Sequence, residues 1–373
     1  MKQQTILLGS IFNIPIGLDY SWFLIFILLT WSMASSYYPA EFKNWPAFQY
    51  WVIGAATAIL LFVCVLLHEL GHSVVALRYR VPVRSITLFI FGGVAQIAAE
   101  PPSAAAEFWI AIAGPIVSFA LAGLFGLAQS AVSSLTPLLA LMKYLAYING
   151  ILGLFNLIPG FPLDGGRVFR AVVWGITRNF RRATLVAATT GRIFAFLFIL
   201  YGVWQIFSGN FVGGLWIAFI GWFLESAAAS QVQQQTIHDL LTGHKVSQAM
   251  TRSYTTISPD ATLQQLADEH ILGMGRRFFV VQDEGNVLGL LTLHNIKEVP
   301  RSEWAEAKAV KTMLPAAQMH RVRPETELWS ALEQMDKDGV NQLPVMVDGT
   351  LLGILNRESV ISFLRTLQEI KKE

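Results

Sequence analysis

This chain of 373 residues is poor in three things. It has one cysteine, Cys64, so no intramolecular disulfide can form and a disulfide-stapled small domain is excluded. Charged residues make up only 14% of it, where a soluble globular domain carries about a quarter. Histidine is scarce as well: seven in all, and only His68 and His72 precede residue 238. The formal net charge of +2 gives no support to nucleic-acid binding. A cleaved leader is not expected, because Lys2 is the only basic residue before an apolar run that Gly9, Asn13 and Pro15 interrupt. That segment is expected to be short and extended or interfacial.

What the chain has in excess is apolar sequence: 54% hydrophobic residues and a mean hydropathy of +0.49. Divided at residue 237, the first part carries a net +5 and the remainder a net −3. The two parts are therefore different objects, one suited to lipid and one to water. Six spans of about 20 residues or more are expected in the first part, near 20–38, 50–77, 105–131, 137–158, 184–207 and 211–230. Arg78, Arg80 and Arg84 follow the second span, and Arg167, Arg170, Arg178, Arg181 and Arg182 lie between the fourth and fifth. The loops after spans one, three and five carry only Lys43 as a basic residue. By the positive-inside rule both termini and the 78–104 and 159–183 loops face the cytoplasm.

The second span contains His68-Glu69-Leu-Gly-His72. Histidines four apart project from one helix face, with the intervening glutamate free to act as a base, which is the zinc-ligand spacing of a metalloprotease. The seventeen residues from Trp51 to Leu67 carry no charge, and ionisable groups at membrane depth are costly and usually functional. A catalytic zinc takes a third protein ligand. Asp164, in Asn156-Leu-Ile-Pro-Gly-Phe-Pro-Leu-Asp-Gly-Gly-Arg167, is the only acidic residue between Glu107 and Glu225 and stands on the same side as the histidines. Its alternative role is an ordinary cap for a following helix. Asn149 and Asn156, two turns apart on one face, can supply amide donors to an oxyanion or serve as polar glue between helices. Cys64 reads as a packed residue, Arg167 as an interfacial anchor, and Lys143 and Glu225 as side chains that reach the interface. Residues 85–97, rich in β-branched and aromatic side chains around Gly92-Gly93, predict a hairpin whose edge can accept an unwound peptide, or else an interfacial connector.

After residue 243 a repeat appears. Pro259, Leu263, Val280 and Asp283 recur as Pro324, Leu328, Val345 and Asp348, and Gly289-Leu-Leu-Thr-Leu recurs as Gly353-Ile-Leu-Asn-Arg. Each copy predicts an amphipathic helix, two strands joined by a turn and a final helix, the two copies sharing a core. Neither copy has metal-ligand spacing or a nucleophile constellation.

These residues resemble the site-2 protease family of intramembrane zinc metalloproteases (peptidase family M50), in its prokaryotic branch with C-terminal tandem cystathionine-β-synthase (CBS) domains. The motifs that carry the resemblance are His68–His72 with Glu69, Gly114-Pro115, Asn149 and the 156–167 run, in family order. The resemblance implies a polytopic α-helical membrane protein with a short membrane-associated β segment, plus a cytoplasmic α/β CBS module. It implies a protease domain at 1–237 and CBS domains at 244–300 and 305–366. It also implies one zinc held by His68, His72 and Asp164, Glu69 as base, transmembrane protein substrates, and a multi-pass protein of a prokaryotic plasma membrane. Ser118 departs from the asparagine common among relatives, which predicts a weakened polar contact there. CBS pairs commonly dimerise and bind adenine nucleotides; Thr292 and Asn295 are the matching positions in the first copy, against Asn356 and Ser359 in the second, and neither copy keeps the acid that would hold a ribose. Two other classes fit less of the chain: a CBS-regulated transporter using the His/Asp cluster as a metal site, and a proteolytically silent scaffold.

Overall fold

A computed structural model describes residues 5–97, 100–132 and 136–370; Lys2 lies outside them. The chain divides into two compact units, Met1–Gln235 and Thr236–Glu373.

Among the described residues six helices are long and apolar enough to cross a membrane: α1 (Ser21–Glu41), α2 (Ala47–Arg78), α3 (Ala104–Ala131), α4 (Thr136–Asn156), α6 (Phe180–Phe207) and α7 (Phe211–Leu241). A shorter helix, α5 (Asp164–Thr177), lies between α4 and α6. The starts follow local chemistry. Ser103 caps α3 by accepting from the Ala106 N–H at 3.2 Å, and Asn179 caps α6 by accepting from Arg182 N at 2.9 Å. Arg178, in the left-handed conformation at φ 53°, ends α5. At 32 residues α2 is about 48 Å long, more than a bilayer core requires.

The N-terminal segment and residues 83–97 form one sheet. Strands β1 (Thr5–Ile11), β2 (Ile14–Asp19), β3 (Val83–Phe89) and β4 (Gly92–Ile97) stand in that order. The first and last pairs are antiparallel hairpins, while β2 and β3 are parallel, with Ile16 opposite Ile86 and Leu18 opposite Leu88. The expected hairpin at 85–97 is thus half of a larger sheet. Its inner face, with Ile14 and Ile86, packs on Leu66 and Leu70 of α2, so burial of apolar surface fixes the sheet to the helix that carries the histidines.

In the second unit the strands β5 (Thr256–Ile257), β6 (Phe278–Asp283), β7 (Asn286–Thr292) and β8 (Leu314–Pro315) form one sheet, and β9 (Gln342–Val347) pairs with β10 (Thr350–Asn356). Val280 and Leu290 of the first copy pack with Ile354 of the second, giving the shared core that the repeat predicts. The second copy opens on a regular helix, Leu328–Asp338. The first instead runs from Leu263–Gln265 into a π-helical turn, Leu266–Leu272, with Leu263, Leu266 and Ala267 all buried.

Candidate metal centre

His68 and His72 are one helical turn apart on α2 and both buried, at 4% exposure each. Asp164 is the first residue of α5, whose cap position is Leu163. Its carboxylate does not cap the helix. Oδ2 lies instead 3.0 Å from His68 Nε2 and 3.1 Å from His72 Nε2. The two Nε2 atoms are 3.2 Å apart. Ligand bonds of about 2.0–2.2 Å in a tetrahedron put donor atoms roughly 3.3 Å apart, so this triangle is the size of one face of such a site. It is the one group of three metal-ligating side chains found among the described residues. Burial alone would push the Asp164 carboxyl up; His72 and His68 outweigh it and hold the carboxyl well below its usual range.

The far nitrogen of each imidazole is tied to α3. His72 Nδ1 lies 2.7 Å from the Ile110 carbonyl oxygen, which fixes Nδ1 as the donor and leaves Nε2 with its lone pair facing Asp164. His68 Nδ1 lies 2.8 Å from Ser118 Oγ. Ser118 is fully buried, and the expectation of a weakened contact there is corrected: the hydroxyl spans the distance to the ring. Between these two contacts stands Gly114, where a Cβ would lie 2.6 Å from His68 Nε2 and closer still to His72 Nε2. The glycine keeps open the space beside the ligand atoms.

Glu69, between the two histidines on α2, packs beside the sheet. It lies against β4: a Cβ on Gly93 would fall 2.6 Å from Glu69 Cγ and 3.3 Å from its Oε1. Among the described residues strand β4 is an edge, paired only with β3. At the β3–β4 turn Phe91 stacks on Phe223 of α7, ring centroids 4.9 Å apart.

The remaining expected residues stand elsewhere. Asn149 is fully buried and its Nδ2 donates to the Leu145 carbonyl at 2.8 Å, while its Oδ1 has no partner among the described residues. Asn156 closes α4 and is partly exposed. Neither hydrogen-bonds to the triangle. The Arg167 side chain makes no hydrogen bond among the described residues; burial pushes its guanidinium down, with Glu107 opposing. Lys143 pairs with Glu41 at 2.9 Å, and Glu225 with Arg192 at 3.1 Å. In the second unit Thr292 and Asn295 form a reciprocal cap: Asn295 Oδ1 accepts from Thr292 Oγ1 at 2.6 Å, and Asn295 N donates to Thr292 Oγ1 at 3.4 Å. Sequence reasoning missed the role of Ile110, which acts through its backbone carbonyl and leaves no trace in residue type.

The profile of peptidase family M50 matches residues 56–135 and 120–200, and that of the CBS domain matches 246–302 and 310–366. The chain is 35% identical to sll0528 of Synechocystis, named as a zinc metalloprotease, over 97% of this chain and 96% of that one. It is 35% identical to Rip3 of Mycobacterium tuberculosis, also named as a zinc metalloprotease, over 96% and 92%. The solved site-2 protease of Methanocaldococcus jannaschii is 30% identical and covers 61% of this chain and 95% of its own, with a TM-score of 0.43. With a relative at this identity spanning nearly the whole of both chains, the protein belongs to peptidase family M50, the site-2 proteases, and carries a C-terminal pair of CBS domains.

Proposed function

We propose that the chain is an intramembrane zinc protease that hydrolyses peptide bonds of transmembrane proteins near the cytoplasmic side. The observation that carries this reading is the triangle of His68 Nε2, His72 Nε2 and Asp164 Oδ2, three lone-pair donors at tetrahedral spacing. Bound zinc would supply a Lewis acid and a water acidic enough to be deprotonated near neutral pH. Glu69 is the base that takes the proton, its side chain held against the wall of Gly93 on β4. The free edge of β4 lies beside that carboxylate, so a substrate unwound into an added strand would bring its carbonyl to the base and the metal together. Either amide, of Asn149 or of Asn156, would supply the oxyanion donor, since Asn149 keeps a second N–H beside the one given to Leu145.

The reading extends to the whole chain. The protease domain is 1–237 and the CBS domains are 244–300 and 305–366. The protein lies in a prokaryotic plasma membrane with both termini cytoplasmic, an orientation that the positive-inside bias of the arginine-rich loops favours. The CBS pair is a regulatory or docking module that also supports a homodimer. An adenine nucleotide in its cleft would meet Thr292 and Asn295; isothermal titration of the full-length protein with ATP, ADP and AMP giving no heat would remove that part.

A metal-transport role is disfavoured because both imidazoles are pinned at Nδ1, whereas permeation needs ligands that exchange readily. Proteoliposomes carrying the protein and a fluorogenic transmembrane peptide test the choice. Cleavage that a zinc chelator abolishes and zinc restores is the expected outcome; metal uptake without cleavage would reverse it.

A further inference from the structure

Glu107 is fully buried on the first turn of α3, and the proposed chemistry has no use for it. Its Oε1 accepts from Arg170 Nε at 2.6 Å, with Arg170 Nη2 also in contact. Arg170, buried at 6% exposure on α5, additionally reaches Thr184 Oγ1 of α6 at 3.4 Å. Its guanidinium stands over the rings of Phe161 and Phe180, 4.9 and 4.6 Å from their centroids. A buried ion pair is poor evidence of stability, because desolvating two charges costs about as much as their attraction returns; register is the better-attested use.

The pair's place in the fold identifies the register. Residues 107, 110, 114 and 118 of α3 fall within an arc of about 80° on one helix face. Glu107 grips Arg170, Ile110 holds His72, Gly114 clears the ligand atoms and Ser118 holds His68. Arg170 is six residues along α5 from Asp164. One face of α3 therefore touches the two ligands from α2 and, through Arg170, the helix that bears the third.

We propose that Glu107 and Arg170 are positioning residues of the metal site: the pair locks α5 against the same face of α3 that orients the histidines, and so sets Asp164 opposite them. The proposal rests on the reading of His68, His72 and Asp164 as metal ligands.

Cobalt-substituted protein tests it, since the visible spectrum of cobalt reports its ligands and geometry without any need for turnover. The variants are Glu107→Gln, which keeps shape and removes charge, and the double variant Glu107→Leu/Arg170→Leu, which removes the pair without leaving a lone buried charge. Wild type and Asp164→Ala serve as references. The expected result is a spectrum shifted towards that of Asp164→Ala and metal lost to a chelator at least about tenfold faster, the range for disturbed outer-shell contacts. Folding is checked by monodisperse elution and helical circular dichroism, and if the double variant fails there, Glu107→Gln decides alone. A folded variant with the wild-type spectrum and wild-type metal retention would overturn the proposal. Wild type that takes up no cobalt would instead strike at the ligand reading itself.

Discussion

Asp164 Oδ2 and His68 Nε2 stand 3.0 Å apart although 96 positions separate them in the chain. Folding alone closes that distance, by setting the start of α5 against the middle of α2. The contact replaces the cap that an aspartate at a helix start ordinarily makes, and it leaves a carboxylate and two imidazoles aimed at one point. The consequences are open to direct measurement.

Gly114→Ala places a methyl group where the two Nε2 atoms converge. Metal content measured by mass spectrometry should fall by more than about tenfold, a larger effect than removing an outer-shell contact. Elution and circular dichroism should stay those of wild type, alanine being a better helix former than glycine.

Ser118→Ala removes the hydroxyl 2.8 Å from His68 Nδ1 and leaves a buried ring nitrogen unpaired. Competition against a zinc chelator should show about tenfold weaker affinity, in line with outer-shell losses at other metal sites. Unchanged affinity would mean that packing alone orients His68.

Gly93→Ala acts on the base and spares the metal. The added methyl lies 2.6 Å from Glu69 Cγ, so the side chain must swing out of its present position. Cleavage is expected to fall by about 10²-fold, within the range assigned to a positioned base, with metal content held at the wild-type value.

Thr292→Ala removes the reciprocal cap in the first CBS copy. The cost should be about 1 kcal/mol at the start of the Leu293–Glu298 helix. Hydrogen exchange at the Asn295 amide should quicken about fivefold without any ligand present. An unchanged rate would mean that the hydroxyl is free for another partner.

Much of this was legible in the sequence. The six spans announce themselves by apolar length, and the His68–His72 spacing with a single acid between Glu107 and Glu225 marks the three side chains that the fold brings together. Other features leave no local signal. The parallel pairing of β2 with β3 joins segments some 70 residues apart, so an interrupted apolar stretch at the N-terminus gives no hint of a four-stranded sheet. Ile110 contributes a carbonyl, and any residue has one. Ser118 reads as a departure from family pattern until the close approach of α2 and α3 shows that a short hydroxyl suffices. Glu107 did have a signal, the one charge in an otherwise uncharged helix, and the arginine-rich loop held its partner. Only the fold shows which of five arginines it chose.

The central claim is that His68, His72 and Asp164 hold one zinc while Glu69 serves it without binding it. Zinc per chain and cleavage of a transmembrane substrate, measured together in wild type, Asp164→Ala and Glu69→Gln, test both halves. The account predicts near one zinc in wild type and in Glu69→Gln, little in Asp164→Ala, and cleavage by wild type alone. Wild type purified free of chelators yet lacking zinc, or Glu69→Gln cleaving at the wild-type rate, would contradict it.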